Sequence, residues 1–103
     1  MGAFDRDFMT MIQTTSQVVD ADGRVNIPGN PNRLWLEVSV SGGAAFRYSF
    51  GPLATATLGT TVSATDAAKE FSVFRHGTGV RSAISIHAGA GVTVTWTEGL
   101  TAS

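Results

Sequence analysis

The sequence contains no cysteine. This absence excludes disulfide bonds, thiolate metal sites and cysteine nucleophiles, and it leaves the redox compartment open because such a chain fits either side of a membrane. Basic residues are also few, since seven Lys and Arg stand against eight Asp and Glu and the net charge is −1. A surface dedicated to nucleic acid would show a clustered excess of Lys and Arg. We therefore expect no nucleic-acid partner.

Long apolar runs are missing as well. No stretch reaches the roughly 20 apolar residues that span a bilayer. Asp5, Arg6 and Asp7 occupy the N-terminal region where a secretory signal needs a basic segment followed by an apolar one. We expect neither a membrane partner nor a signal peptide. The 103 residues suit one domain with its own core.

The feature that the chain does have is an alternation of apolar and polar residues, which indicates β-strands. In its clearest run Val92, Val94 and Trp96 share one face, which predicts that Trp96 lies in the core. Glycine and proline separate the runs at intervals that suit strands of about five to eight residues. Strands are predicted near residues 12–19, 23–27, 33–41, 45–50, 55–63, 69–75, 80–88 and 91–98.

The predicted fold class is all-β. We expect a single antiparallel β-sandwich of the jelly-roll or Ig-like type, with seven or eight strands, over residues 13–103. Residues 1–12 form an N-terminal arm ahead of it. The aliphatic run of residues 33–41 and the aromatic run of residues 45–50 are predicted to pair as a hairpin across the small polar stretch between them.

Candidate contact residues lie in the arm and in the predicted hairpin. Phe4, Phe8 and Met9 are apolar residues ahead of the first strand, so the arm either covers an open end of its own sandwich or docks on a neighbouring subunit. Trp35 and Glu37 share the face opposite to the aliphatic residues, and Arg47 is predicted to join them from the next strand. Trp and Arg are favoured at interfaces, although ordinary cross-strand packing gives the same pattern.

Chemical motifs are weak. Asp20, Asp22 and Gly23 match the opening of a calcium loop, but Pro31 stands at the twelfth position, where such a loop needs a bidentate glutamate. A tight hairpin turn is predicted there, with a metal site as the alternative. His76 and His87 are the only candidates for proton transfer near neutral pH, and no nucleophile elbow or paired carboxylates accompany them. We predict no enzyme, no catalytic residue and no cofactor.

Three structural motifs occur in a familiar order along residues 13–98. They are the strand start at Asn30–Arg33, the aromatic strand that ends at Phe50 and Gly51, and the closing strand that ends at Trp96–Glu98. In this order they resemble a group of small β-sandwich virion structural proteins of tailed bacteriophages, of the head decoration, collar or fibre-base type. The arm is longer and more apolar here than in that group.

The resemblance implies a structural role with no catalytic residues. It implies a capsid decoration or accessory subunit that acts through protein–protein contacts in a symmetric homo-oligomer, with a trimer favoured. The implied partners are further copies of the chain and other virion proteins such as the major capsid protein, and the implied location is the virion after assembly in the host cytoplasm. The alternative from another class is a small carbohydrate-binding adhesion module, in which exposed aromatic rings would stack on sugars.

Overall fold

The computed structural model describes residues 11–41, 45–51, 53–55, 57–63 and 68–101. Eight strands account for most of these residues. They are β1 (Met11–Val18), β2 (Arg24–Ile27), β3 (Arg33–Val40), β4 (Phe46–Phe50), β5 (Thr60–Val62), β6 (Lys69–Ser72), β7 (Ile84–His87) and β8 (Thr93–Leu100). A short helix α1 (Val73–His76) and a 3₁₀ turn (Thr78–Arg81) join β6 to β7. None of the helices in the described part of the chain has the length and apolar character needed to cross a membrane.

The strands form two antiparallel sheets of four strands each, which confirms the predicted all-β sandwich. The first sheet has the order β1-β8-β3-β6 and the second has the order β2-β7-β4-β5. The first strand pairs with the last, the second with the seventh, the third with the sixth and the fourth with the fifth. A folded-over ladder of this kind, completed by the β3–β8 and β4–β7 pairs, is the jelly-roll arrangement.

The predicted hairpin between the aliphatic and aromatic runs is wrong. β3 lies in the first sheet and β4 in the second, so the chain crosses between sheets after β3. The partners of β3 are β6 and β8, and those of β4 are β5 and β7. The physical reason is that alternation defines which face of a strand is buried, whereas a short polar connection fits a hairpin and a crossover equally well.

The core lies between the sheets and consists of the inward residues of each strand. Leu36, Val38 and Val94 from the first sheet meet Ile84 and Ile86 from the second, and all five are fully buried. Trp96 is 5% exposed, which confirms the prediction that it belongs to the core. Arg33 and Glu98 are the charged residues buried among the described positions.

The turn at Asp20–Gly23 was predicted correctly as a turn, but it does not form a hairpin. Asp20 Oδ1 accepts hydrogen bonds from the backbone N–H groups of Asp22 at 2.9 Å and Arg24 at 3.1 Å. Gly23 adopts a φ of 78°, a conformation that favours glycine. The turn connects β1 of the first sheet to β2 of the second, so the chain crosses sheets here as well.

One predicted strand ends early. Residues 73–75 were expected to continue the strand from Lys69, but β6 ends at Ser72 and α1 begins at Val73. The Ser72 hydroxyl accepts a hydrogen bond from the Arg75 N–H at 3.1 Å, and a serine cap of this kind stabilises the first turn of a helix. In return, the His76 imidazole Nδ1 accepts a hydrogen bond from the Ser72 N–H at 3.1 Å.

Candidate interaction surfaces

A buried ion pair fixes one end of the sandwich. Arg33 Nη2 donates to Glu98 Oε1 at 2.6 Å and to the Pro28 carbonyl at 2.6 Å, while Nη1 donates to the carbonyls of Val80 at 2.8 Å and Ser82 at 3.1 Å. The guanidinium therefore holds the turn before β3, the 3₁₀ turn and β8 together. Because Arg33 bonds to Glu98 and to three backbone carbonyls, the pair is a structural element of the fold.

β1 is the most exposed strand of the first sheet. All eight of its residues are exposed, among them Met11 at 54%, Ile12 at 63% and Val18 at 59%. Gln13 and Thr15 lie opposite Glu98 and Trp96 and so face the same way as the core, yet the second sheet does not cover them. β1 therefore extends beyond the body of the sandwich.

The attachment of β1 to the domain runs through one neighbour. Its only extensive contact among the described elements is with β8. Beyond the backbone ladder, the hydroxyl of Thr14 bonds to that of Thr97 at 2.8 Å, and Gln13 Nε2 donates to Glu98 Oε2 at 3.3 Å. The other edge of β1 has no strand partner in the described sheets. An unpaired edge presents backbone N–H and C=O groups to any strand that approaches.

The outer face of the first sheet carries two acids side by side. Glu37 of β3 and Glu70 of β6 are direct cross-strand partners, and we call this pair the acidic pair. Trp35 lies two positions from Glu37 on the same face, opposite Ser72, and is half-buried. Lys69, the neighbour of Glu70, is paired with Val38 and so points to the other side of the sheet.

The outer face of the second sheet carries three basic side chains in a row. His87 of β7 lies between Arg24 of β2 and Arg47 of β4, and it is the direct cross-strand partner of both. We call these three residues the basic row. Arg47 Nη1 donates to the Gly59 carbonyl at 3.0 Å. Within the described residues the only salt bridge joins Arg33 to Glu98, so no described carboxylate forms an ion pair with the basic row.

An open aromatic groove lies where β4 faces β6 across the two sheets. Phe71 is at its centre, with ring centroids 5.0 Å from Tyr48, 5.3 Å from Phe50 and 5.8 Å from His76, all in edge-to-face geometry. Lys69 Nζ lies 5.9 Å from the Tyr48 ring centroid and 5.7 Å from that of Phe71. The groove has a volume of about 560 Å³ and continues to Val80 and Ser82.

The structure separates the residues predicted as one contact surface. Trp35 and Glu37 share the outer face of the first sheet, whereas Arg47 lies on the outer face of the second. Phe4, Phe8 and Met9 lie outside the described residues. His76 and His87, the two candidates for proton transfer, are also apart in the fold. His76 ends α1, whereas His87 lies in the basic row.

Sequence reasoning missed the other members of these surfaces. Glu70 belonged to a predicted strand, but its pairing with Glu37 depends on a β3–β6 contact that local patterns do not reveal. The same holds for Arg24 and His87, which the β2–β7 ladder brings together across the length of the domain. For β1 the available indication was its composition, because residues 11–18 contain no charge and no proline.

Comparisons of the chain with protein-family models, curated proteins and solved structures gave no match. We therefore infer its function from the surfaces of the sandwich. Three features reach the surface: the exposed strand β1, the oppositely charged outer faces, and the aromatic groove, which opens onto the buried Phe71.

Proposed function

We propose that the chain is a structural subunit of a bacteriophage virion, a capsid decoration or accessory protein that works through protein–protein contacts in a symmetric homo-oligomer. The observation that carries the proposal is the exposure of β1. The motif order of residues 13–98 supports it, and so does the jelly-roll arrangement, which viral capsid domains use. Lectin domains use the same arrangement, so the fold alone does not choose between the two roles.

β1 favours assembly because it lacks the features that keep an edge strand from pairing. Monomeric sheet proteins protect their edges with lysine, proline, bulges or very short strands. β1 is eight residues long, contains no lysine and no proline, and pairs with β8 in an unbroken register. It also exposes Met11, Ile12 and Val18. These properties suit a strand that is covered by another protein molecule.

The proposed partners are further copies of the chain, with a trimer favoured, and other virion proteins such as the major capsid protein. The proposed location is the virion, after assembly in the host cytoplasm. The arm of residues 1–12 leads directly into β1 and overlaps its first two residues. We propose the arm, through Phe4, Phe8 and Met9, as a second contact.

The experiment measures solution mass by light scattering after size exclusion, at a low and a high protein concentration. We expect the natural chain to form a trimer or a larger ring, a multiple of its 10.7 kDa mass. A variant with Ile12→Lys and Val18→Lys should have a smaller mass, because lysines on an edge strand block its association. Deletion of residues 1–10, which leaves β1 intact, tests the arm.

The matched control carries two lysines elsewhere. Thr78→Lys and Ala90→Lys add the same charge at exposed turn positions and should leave the oligomer mass unchanged. If the natural chain is monomeric at both concentrations, the homo-oligomeric subunit is refuted. If the β1 variant and the control behave alike, β1 is not the contact strand.

The aromatic groove favours a second candidate, the carbohydrate-binding adhesion module. Tyr48 and Phe50 are only partly buried and line the groove over the buried Phe71, with Lys69 beside them, and sugar sites stack sugar rings on accessible aromatic rings. The two tryptophans do not contribute, since Trp96 is buried and Trp35 lies on an outer face. A glycan screen tests the candidate: a hit that Tyr48→Ala abolishes would support it, and an absence of hits would count against it.

A further inference from the structure

We infer that copies of the chain associate head-to-tail, with the acidic pair of one copy seated on the basic row of the next. The inference rests on the homo-oligomer of the proposed function and specifies how its subunits meet. It also assigns Glu37 and Arg47 to the two opposite sides of one contact, together with Glu70, Arg24 and His87.

Each of the two clusters carries charge of one sign. Glu37 and Glu70 are direct partners on adjacent strands, where the strands are about 4.8 Å apart. Like charges in this position destabilise a sheet. The basic row holds two arginines, Arg24 and Arg47, on the strands to either side of His87. Within the residues that the structure describes, neither cluster forms an ion pair, and each would gain from a partner of opposite charge.

The placement of the two clusters favours a head-to-tail contact. The acidic pair lies on the outer face of the first sheet and the basic row on the outer face of the second, so they point away from each other on opposite sides of the sandwich. A two-fold contact would place acid against acid or base against base. A head-to-tail contact places acid against base, and when it is repeated it closes into a ring if the rotation between copies closes and otherwise continues as an open filament.

A large aromatic side chain, Trp35, lies beside the acidic pair. Trp35 is half-buried on the same outer face as Glu37. Interfaces concentrate their binding energy in buried tryptophan and arginine side chains surrounded by polar contacts. Trp35 supplies such an anchor next to the acidic pair, and Arg24 and Arg47 supply arginines on the complementary face. Complementary charge also steers the encounter and fixes the orientation of the partners.

The experiment uses two charge-reversal variants of the full chain. One carries Glu37→Arg and Glu70→Arg, and the other carries Arg24→Glu and Arg47→Glu. Each variant alone places like charge against like charge, so we expect light scattering to show its mass fall to that of the monomer. An equimolar mixture should associate into at least a heterodimer, because the unaltered basic row of one variant matches the unaltered acidic pair of the other. A closed trimer is not expected in the mixture, because the two variants have to alternate. A chain with all four substitutions should assemble alone, since both faces are then reversed.

Association in the mixture also shows that both variants are folded, and Arg75→Glu at an exposed position of α1 is the control for a single reversed charge. Two outcomes overturn the inference. In one, both variants keep the natural oligomer mass, in which case the oligomer of the proposed function stands on another surface. In the other, both variants are folded monomers that do not associate when mixed. A natural chain that is itself monomeric refutes the proposed function together with the inference.

Discussion

Arg33 of β3 and Glu98 of β8 form a buried ion pair, with Nη2 and Oε1 2.6 Å apart, although 65 positions separate them in the sequence. Arg33 ends the motif at the start of β3, and Glu98 ends the motif of the closing strand. The two motifs therefore meet in one contact. This contact joins the third and eighth strands at one end of the jelly roll.

Replacing one member of this pair should destabilise the protein strongly. Arg33→Met leaves the Glu98 carboxylate buried without its counter-ion and frees the carbonyls of Pro28 and Val80. Breaking a buried pair from one side typically costs about 3–5 kcal/mol. Urea unfolding should show this loss in the free energy of unfolding. The double variant Arg33→Met with Glu98→Leu should lose less than the sum of the two single changes, because no unpaired charge remains.

Arg75→Met is the matched control for this experiment. Arg75 is exposed on α1, and its side chain has no hydrogen-bond partner among the described residues. A surface substitution of this kind should change stability by less than about 0.5 kcal/mol. Equal losses for Arg33→Met and Arg75→Met would contradict the structural role given to the ion pair.

The ion pair also shows where sequence patterns stop being informative. Strict alternation along β3 places Arg33 on the outer face with Trp35, but the register shifts between these two residues and sets Arg33 opposite Leu100. Leu100 shares the inward side of β8 with Glu98, so the irregularity turns Arg33 into the interior. A bulge changes the direction of a side chain without leaving a clear pattern in the sequence. Leu36, Val38 and Val40 follow the bulge and are buried, as the alternation of β3 indicates.

Gly23 is the second position at which we expect a specific loss. Its φ is 78°, and a Cβ there would lie 3.0 Å from the Ala88 carbonyl oxygen and 3.0 Å from His87 Nε2. Gly23→Ala should therefore lower the free energy of unfolding by about 1–2 kcal/mol. Gly79→Ala is the control, because its φ is not positive and nothing lies within 4 Å of the added atom. Thermal unfolding of both variants should separate them, and matching melting temperatures would argue against strain in the turn.

Phe71 and Phe74 test the place where α1 replaces the predicted strand. The alternation of residues 69–75 gave each face a phenylalanine, but in the structure Phe71 is 3% exposed and Phe74 is 56% exposed. Phe71→Ala should cost about 3–5 kcal/mol, as expected for a buried aromatic residue. Phe74→Ala should change stability by less than about 0.5 kcal/mol. Denaturant unfolding that gave similar losses for both would favour a continuous strand instead.

The candidate surfaces were less predictable than the fold because they depend on which strands become neighbours. Trp35, Glu37 and Arg47 were identified from residue type alone, and the assumption that β3 and β4 pair placed them on one surface. The observed order puts β3 beside β6 and β4 beside β7, which brings Glu70 to Glu37 and His87 to Arg47. Charge clusters on a sheet depend on which distant strands become neighbours, and local sequence patterns do not specify those pairings.

Hydrogen exchange should distinguish β1 from the rest of its sheet. In the natural structure β1 is exposed on both faces and is held mainly by β8, so it can open without disturbing the core. In the monomeric Ile12→Lys and Val18→Lys variant, we expect the amides of β1 to exchange much faster than those of β3, whose alternate residues are buried. If the natural chain assembles through β1 as proposed, the amides of β1 should be protected there. Equally fast exchange in both states would mean that the oligomer leaves β1 uncovered, and it would refute β1 as the contact strand.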